Sequence, residues 1–85
     1  MFETFKLISS LKKLTNNNAS NIPLDIIKDV ATKVKSNYYS IEQASVMVLR
    51  VSLNLGYLDR EVLTKKGEEL VSKDEDFEKE YGEND

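Results

Sequence analysis

The sequence contains no cysteine and no histidine among its 85 residues. Without cysteine the chain can form neither disulfides nor thiolate metal sites, and without histidine it lacks the commonest zinc ligand and the usual general base. Small domains often gain stability from such a metal or disulfide framework, so oligomerisation is the route left open. No serine nucleophile motif or phosphate-binding glycine loop is present either. We therefore expect no catalytic residue, no metal and no cofactor.

Long hydrophobic runs are also missing. No apolar stretch approaches the roughly 20 residues needed to span a bilayer. The first six residues, Met1 to Lys6, include an acid and do not resemble a signal peptide. The length fits one domain, and no linker or internal repeat divides it. We expect a cytoplasmic protein without a membrane partner.

Charge is distributed unevenly along the chain. Residues 74–85 hold seven acids and one lysine, whereas residues 1–73 hold eight acids and eleven bases, and the net charge is −3. The acids of the last segment lack the alternating spacing and the turn glycine of a calcium loop. We interpret residues 1–73 as a single helical domain and residues 74–85 as an acidic helical extension or tail. Such a tail either keeps the protein soluble, or competes with nucleic acid for a basic face or docks on a partner.

Two amphipathic helices are predicted in the first half of the chain. The apolar residues of 2–15 repeat at helical spacing, and the asparagine-rich stretch 16–21 should end that helix and form a loop. A second helix should begin at Pro23, where the missing N–H costs little, with Asn21 as its cap. It should fade near Ser36.

The third predicted helix is the most hydrophobic. Ser40 and Gln43 have the spacing of a capping box, and Gly56 is placed to end the helix after Leu55. Apolar residues lie on more than one face, so the helix must be covered on most sides or face a partner. If the other helices cover it incompletely, part of its surface stays bare and forms a homodimer interface. The residues predicted for this interface are Met47, Val51 and Leu55.

The remaining sequence predicts one more helix. Residues 57–63 can hold at most a minimal pair of strands, and Thr64 then has the position of a helix cap. Gly67 should weaken the first turns of this last helix by about 1 kcal/mol relative to alanine. The predicted fold is therefore mostly α, with about four helices and a minimal or absent two-stranded wing.

The segments Leu55-Gly56-Tyr57-Leu58 and Leu63-Thr64-Lys65-Lys66-Gly67 resemble winged-helix transcription regulators of the MarR and PadR kind. In those families a glycine and an apolar pair follow the recognition helix, a wing hairpin comes next, and a Leu-Thr-x-x-Gly segment opens the following helix. The resemblance covers about 16 residues. It implies a winged-helix-like domain with residues 40–55 as the recognition helix, and it implies a small, dimeric, DNA-binding regulator.

Under this hypothesis basic residues contact double-stranded DNA through phosphates or base edges. The candidates are Lys33, Lys35, Arg50, Arg60, Lys65 and Lys66. Two departures from the family pattern weaken the prediction. Residues 59–61 leave little room for a wing loop, and the start of the supposed recognition helix offers Glu42, Gln43 and Ser45 rather than bases.

A second hypothesis places the chain in another class. It is a protein-interaction module, such as a small inhibitor or adaptor of the phage or mobile-element type, which kept a helical scaffold and does not bind DNA. The acidic tail, the short wing segment and the apolar third helix favour it. The pair Tyr38-Tyr39 could stack on bases or anchor a partner, although one tyrosine in the core and one half exposed is the ordinary arrangement.

Overall fold

A computed structural model describes residues 4–37 and 40–77, and within these ranges it describes all side chains except those of residues 34–37 and 76–77. The tyrosine pair and most of the acidic tail thus lie outside the described residues. The elements are α1 (Thr4–Leu14), α2 (Leu24–Asn37), α3 (Ile41–Leu55), a 3₁₀ helix (Arg60–Val62) and α4 (Lys65–Phe77). The prediction of a mostly helical domain is confirmed.

The asparagine-rich stretch ends α1 through backbone geometry. Asn16 and Asn17 both adopt the left-handed conformation, with φ of 54° and 66°, which asparagine tolerates better than most residues. The buried Thr15 hydroxyl donates to the Leu11 carbonyl at 2.8 Å and accepts from the Asn18 N–H at 3.2 Å. The loop is therefore hydrogen-bonded onto the last turn of α1.

The cap of α2 lies two residues later in the chain than the predicted cap, Asn21. The Pro23 carbonyl accepts the N–H groups of Ile26 and Ile27, at 3.1 and 3.4 Å. Pro23 is therefore the cap residue of α2, and the assignment of Asn21 to that role was wrong. The proline ring has the fixed φ that suits the entry to a helix, so it takes the position without a side-chain cap.

Both predicted ends of α3 are confirmed. The Ser40 hydroxyl accepts the Gln43 N–H at 3.1 Å, and the Gln43 side chain accepts the Ser40 N–H at 3.0 Å, which completes the capping box. At the other end Gly56 has a φ of 84°, in the left-handed region, and its N–H bonds back to α3. Glycine adopts this conformation readily because it has no Cβ to clash with the backbone.

The core forms around α3, which packs against α1, α2 and α4. Most of the buried side chains of α3 are apolar, but two serines of this helix, Ser45 and Ser52, are buried among them. Their burial was not predicted from the sequence. The Ser45 hydroxyl donates to the Ile41 carbonyl at 2.8 Å and lies 2.6 Å from the Ser10 hydroxyl of α1. The buried Ser52 hydroxyl has no hydrogen-bond partner among the residues that the structure describes. The apolar residues of the core are Leu7, Leu11, Leu14, Ala19, Ile22, Ile27, Val30, Ala44, Val48, Leu49, Leu58, Leu63 and Val71.

The connection from α3 to α4 contains a 3₁₀ helix where the resemblance places a wing hairpin. Among the described residues 56–64 no strand is formed, so the alternative of an absent wing is the one observed. Thr64 caps α4 as predicted, because its hydroxyl accepts the Gly67 N–H at 3.0 Å. Helix α4 then continues to Phe77 and crosses the predicted domain boundary after residue 73 without a break.

Candidate functional site

Arg50, predicted to contact DNA, is instead paired with an acid of α4. Its Nε lies 2.9 Å from Oδ2 of Asp74, and the two side chains are only 25% and 28% exposed. A guanidinium and a carboxylate at this distance largely neutralise each other's field. Arg50 therefore ties the middle of α3 to the C-terminal half of α4.

Arg60 makes two further pairs with the same helix. One terminal nitrogen of its guanidinium donates to Glu68 at 3.2 Å and the other to Glu75. Because Asp74 and Glu75 are neighbours, Arg50 and Arg60 converge on one part of α4. We call these five residues the arginine cluster. The sequence prediction selected the two bases but missed their three acidic partners.

Two of the four predicted lysine contacts are paired with acids of the protein itself. Lys66 lies 3.5 Å from a carboxylate oxygen of Glu42, and Lys33 lies 3.5 Å from one of Asp29, with all four side chains exposed by more than half. Lys65 is exposed. The Lys35 side chain lies outside the described residues. Four of the six candidate DNA contacts are thus paired with the protein's own acids.

The predicted interface residues of α3 become more exposed towards its C-terminus. Met47 is half-buried and packs against the core, whereas Val51 is half-buried and lies outside the core cluster. Leu55 is 62% exposed. Tyr57, just beyond the helix, is 42% exposed, and Leu24 at the start of α2 is 49% exposed. Tyr57 and Leu24 were not assigned to the interface from the sequence.

A groove brings the end of α3 together with the loop between α1 and α2. It has a volume of about 180 Å³ and lies between residues 18–21 and 56–62. Tyr57 lines the groove. In the chain, Leu55 directly precedes the second of these segments, and Leu24 lies three residues beyond the first. We call Leu24, Leu55 and Tyr57 the apolar end of the molecule. Asp59 is the charged residue that lines the groove.

No group of three or more acidic residues in the described ranges is arranged to hold a metal ion. No helix within them combines the length and hydrophobicity needed to cross a membrane. No protein-family model matches the chain, and neither a curated protein nor a solved structure matches it significantly.

Proposed function

We propose that this chain is a non-enzymatic protein-interaction module that binds its partner at the apolar end. The observation that carries the proposal is the exposure of three large apolar side chains at or near the two segments that border the groove, which are Leu55 (62%), Leu24 (49%) and Tyr57 (42%). Exposed large apolar side chains on a small domain are typical of interfaces, because burying tyrosine and leucine against a partner is favourable. The groove beside them adds polar groups that can fix the orientation of a partner.

The chemistry of this surface defines the partner. Apolar side chains of the partner would cover Leu55 and Tyr57, and a lysine or arginine would pair with Asp59. The asparagine amides at positions 18 and 21 line the same groove and can donate to and accept from a backbone. A protein segment with apolar residues and a nearby base fits this combination better than a nucleic acid does.

The ion pairs of the predicted DNA contacts are the reason for preferring this function to that of a winged-helix regulator. A phosphate approaching Arg50 or Arg60 meets Asp74, Glu68 and Glu75, which repel it and already use the guanidiniums. DNA binding depends on cations that can replace counterions on the phosphates. DNA binding thus stays the rival hypothesis.

The interaction function can be tested by affinity capture with a matched control. The wild-type chain, the double variant L55S/Y57S and the control F5S are immobilised and exposed to a lysate of the source organism. Phe5 is also 62% exposed, but it lies near the N-terminal end of α1, away from the loop that borders the groove. We expect a defined protein to bind the wild type and F5S and not L55S/Y57S, and its purified form to show the same order in calorimetry. Equal capture by all three chains would contradict the proposal.

A separate titration tests the rival function. Fluorescence anisotropy with a mixed-sequence duplex should show no binding at about 50 mM salt. Binding that is present there and lost by about 200 mM would instead support the DNA-binding regulator.

The predicted homodimer is a special case in which the partner is a second copy. Light scattering at micromolar concentration should then give the mass of two chains for the wild type and F5S, and of one chain for L55S/Y57S. A monomer mass for all three would remove the homodimer while leaving another protein partner open to capture.

A further inference from the structure

The groove that borders the apolar end is smaller than a typical small-molecule site. Its volume is about 180 Å³, whereas pockets for such ligands usually measure roughly 300–1,000 Å³. Most of the residues that line it are exposed, so a side chain of a bound protein can enter it from the surface. The size of the groove therefore suits one side chain of a partner better than a free metabolite.

The Asp59 carboxylate gives the groove a negative charge. Asp59 has the cap position of the 3₁₀ helix, but its side chain makes no capping hydrogen bond, in contrast to the Ser40 hydroxyl at the start of α3. The next residue, Arg60, donates to Glu68 and Glu75 of α4, so its charge is already compensated there. None of the described residues that line the groove is a lysine or an arginine. The groove therefore favours a cation.

Other polar groups of the groove add hydrogen-bond acceptors to this carboxylate. The side-chain N–H₂ of Asn18 donates to the carbonyls of Thr15 and Asn16, at 3.1 and 3.2 Å, so the amide oxygen is its best remaining group for a ligand. Gly56 lies at the C-terminal end of α3, where the helix dipole has its negative pole. The N–H groups of Gly56 and Tyr57 bond back to the helix. A ligand rich in N–H groups fits these acceptors.

The ring of Tyr57 favours a planar cation over a compact one. Tyr57 lines the groove and is 42% exposed. A guanidinium stacks on an aromatic face and donates through a rigid fork of N–H groups, whereas an ammonium is a compact point charge. A carboxylate such as that of Asp59 can accept two N–H groups of one guanidinium at once. The groove thus fits the side chain of an arginine better than that of a lysine.

We propose that the groove is a specificity pocket for one arginine side chain of the bound partner. This inference rests on the proposed function, because it assigns a residue to the partner that covers the apolar end. The guanidinium pairs with Asp59 and stacks on Tyr57, while apolar residues beside that arginine cover Leu55 and Leu24. The pocket selects among partners with apolar surfaces, because a partner without the arginine leaves the Asp59 carboxylate without a cation.

The test is an NMR titration of the isotope-labelled full chain with three blocked amino acids, the N-acetyl N-methylamides of arginine, lysine and citrulline. Citrulline has nearly the shape of arginine without its charge and is the matched control probe. We expect the arginine probe to shift the amide resonances of residues 56–59 and the ring resonances of Tyr57, with a dissociation constant in the millimolar range. The lysine probe should bind several times more weakly, and the citrulline probe should cause no shifts.

Three variants separate the pocket from the apolar end. D59N should weaken binding of the arginine probe about fivefold, as expected for the loss of one partly exposed ion pair. E69Q removes an exposed acid outside the groove and should bind the probe like the wild type. L55S should also bind it normally, so failure of the pocket and failure of partner capture are distinguishable. Absence of shifts with arginine, equal shifts with lysine or citrulline, or equal weakening in D59N and either other variant would overturn the proposal.

Discussion

Gly67 is unfavourable for the helix propensity of α4, but the packing of α4 against α1 requires a glycine at this position. In an isolated helix it is about 1 kcal/mol worse than alanine, and from the sequence it marked a weak start of α4. In the folded chain a Cβ at this position would lie 2.6 Å from the Leu14 carbonyl oxygen. That oxygen accepts the Thr64 N–H, so it cannot move away without breaking a hydrogen bond.

We therefore expect G67A to destabilise the protein in spite of its better helix propensity. Overpacking of this kind costs about 1–3 kcal/mol, which should lower the urea midpoint. The control S72A makes an exposed change on the same helix and should leave stability equal or slightly higher. A G67A chain as stable as the wild type would show that α1 and α4 can separate freely at this point.

At the scale of the element, helix ends were predictable because their signals are local. Ser40 and Gln43 needed only their spacing, and Gly56 and Thr64 only their positions beside apolar runs. The cap of α2 was misplaced because Asn21, a good cap by residue type, lies two residues before Pro23, which takes that position. The packing around α3 was less predictable. The buried hydroxyl of Ser45 lies within hydrogen-bond distance of the hydroxyl of Ser10 on α1, and no local pattern in the sequence reveals that contact.

The contribution of the capping box of α3 to stability can be tested by substitution. S40A removes the hydroxyl that accepts the Gln43 N–H and should cost about 1 kcal/mol. N54A changes an exposed residue near the other end of the same helix and serves as the control. Thermal unfolding followed by circular dichroism measures both, and an S40A midpoint equal to that of N54A would mean that packing alone fixes this end of α3.

At the scale of the whole molecule, the sequence identified the charged residues but not their pairing. Arg50 and Arg60 were chosen by residue type, and type carries no information about which acid lies opposite in space. A signal for the pairing was present nevertheless. Asp74 and Glu75 follow Gly67 and Val71 at helical spacing, on the face of α4 that turns inwards. Acids on an inward face need a cation, so the register of α4 could have predicted the arginine cluster.

The register of α4 also predicts which residues of the acidic segment 74–85 contribute to the stability of the fold. A chain ending at Lys73 loses both Asp74 and Glu75, whereas one ending at Phe77 keeps them. We expect the shorter chain to be less stable than the longer by about 1 kcal/mol, in line with the loss of partly exposed pairs. Calorimetric unfolding of the two chains at the same salt concentration makes the comparison. Identical midpoints would indicate that residues 1–73 are a complete unit.

The hydrogen bond from Thr64 to Leu14 also bears on how the chain is made. It joins the first described helix to the segment that opens the last one, and Gly67 packs on the same carbonyl. During synthesis on a ribosome, the end of α1 therefore waits for some fifty later residues before its carbonyl is satisfied from within the fold. Until then water serves that group, and this contact between α1 and the start of α4 can form only after Thr64 has been made.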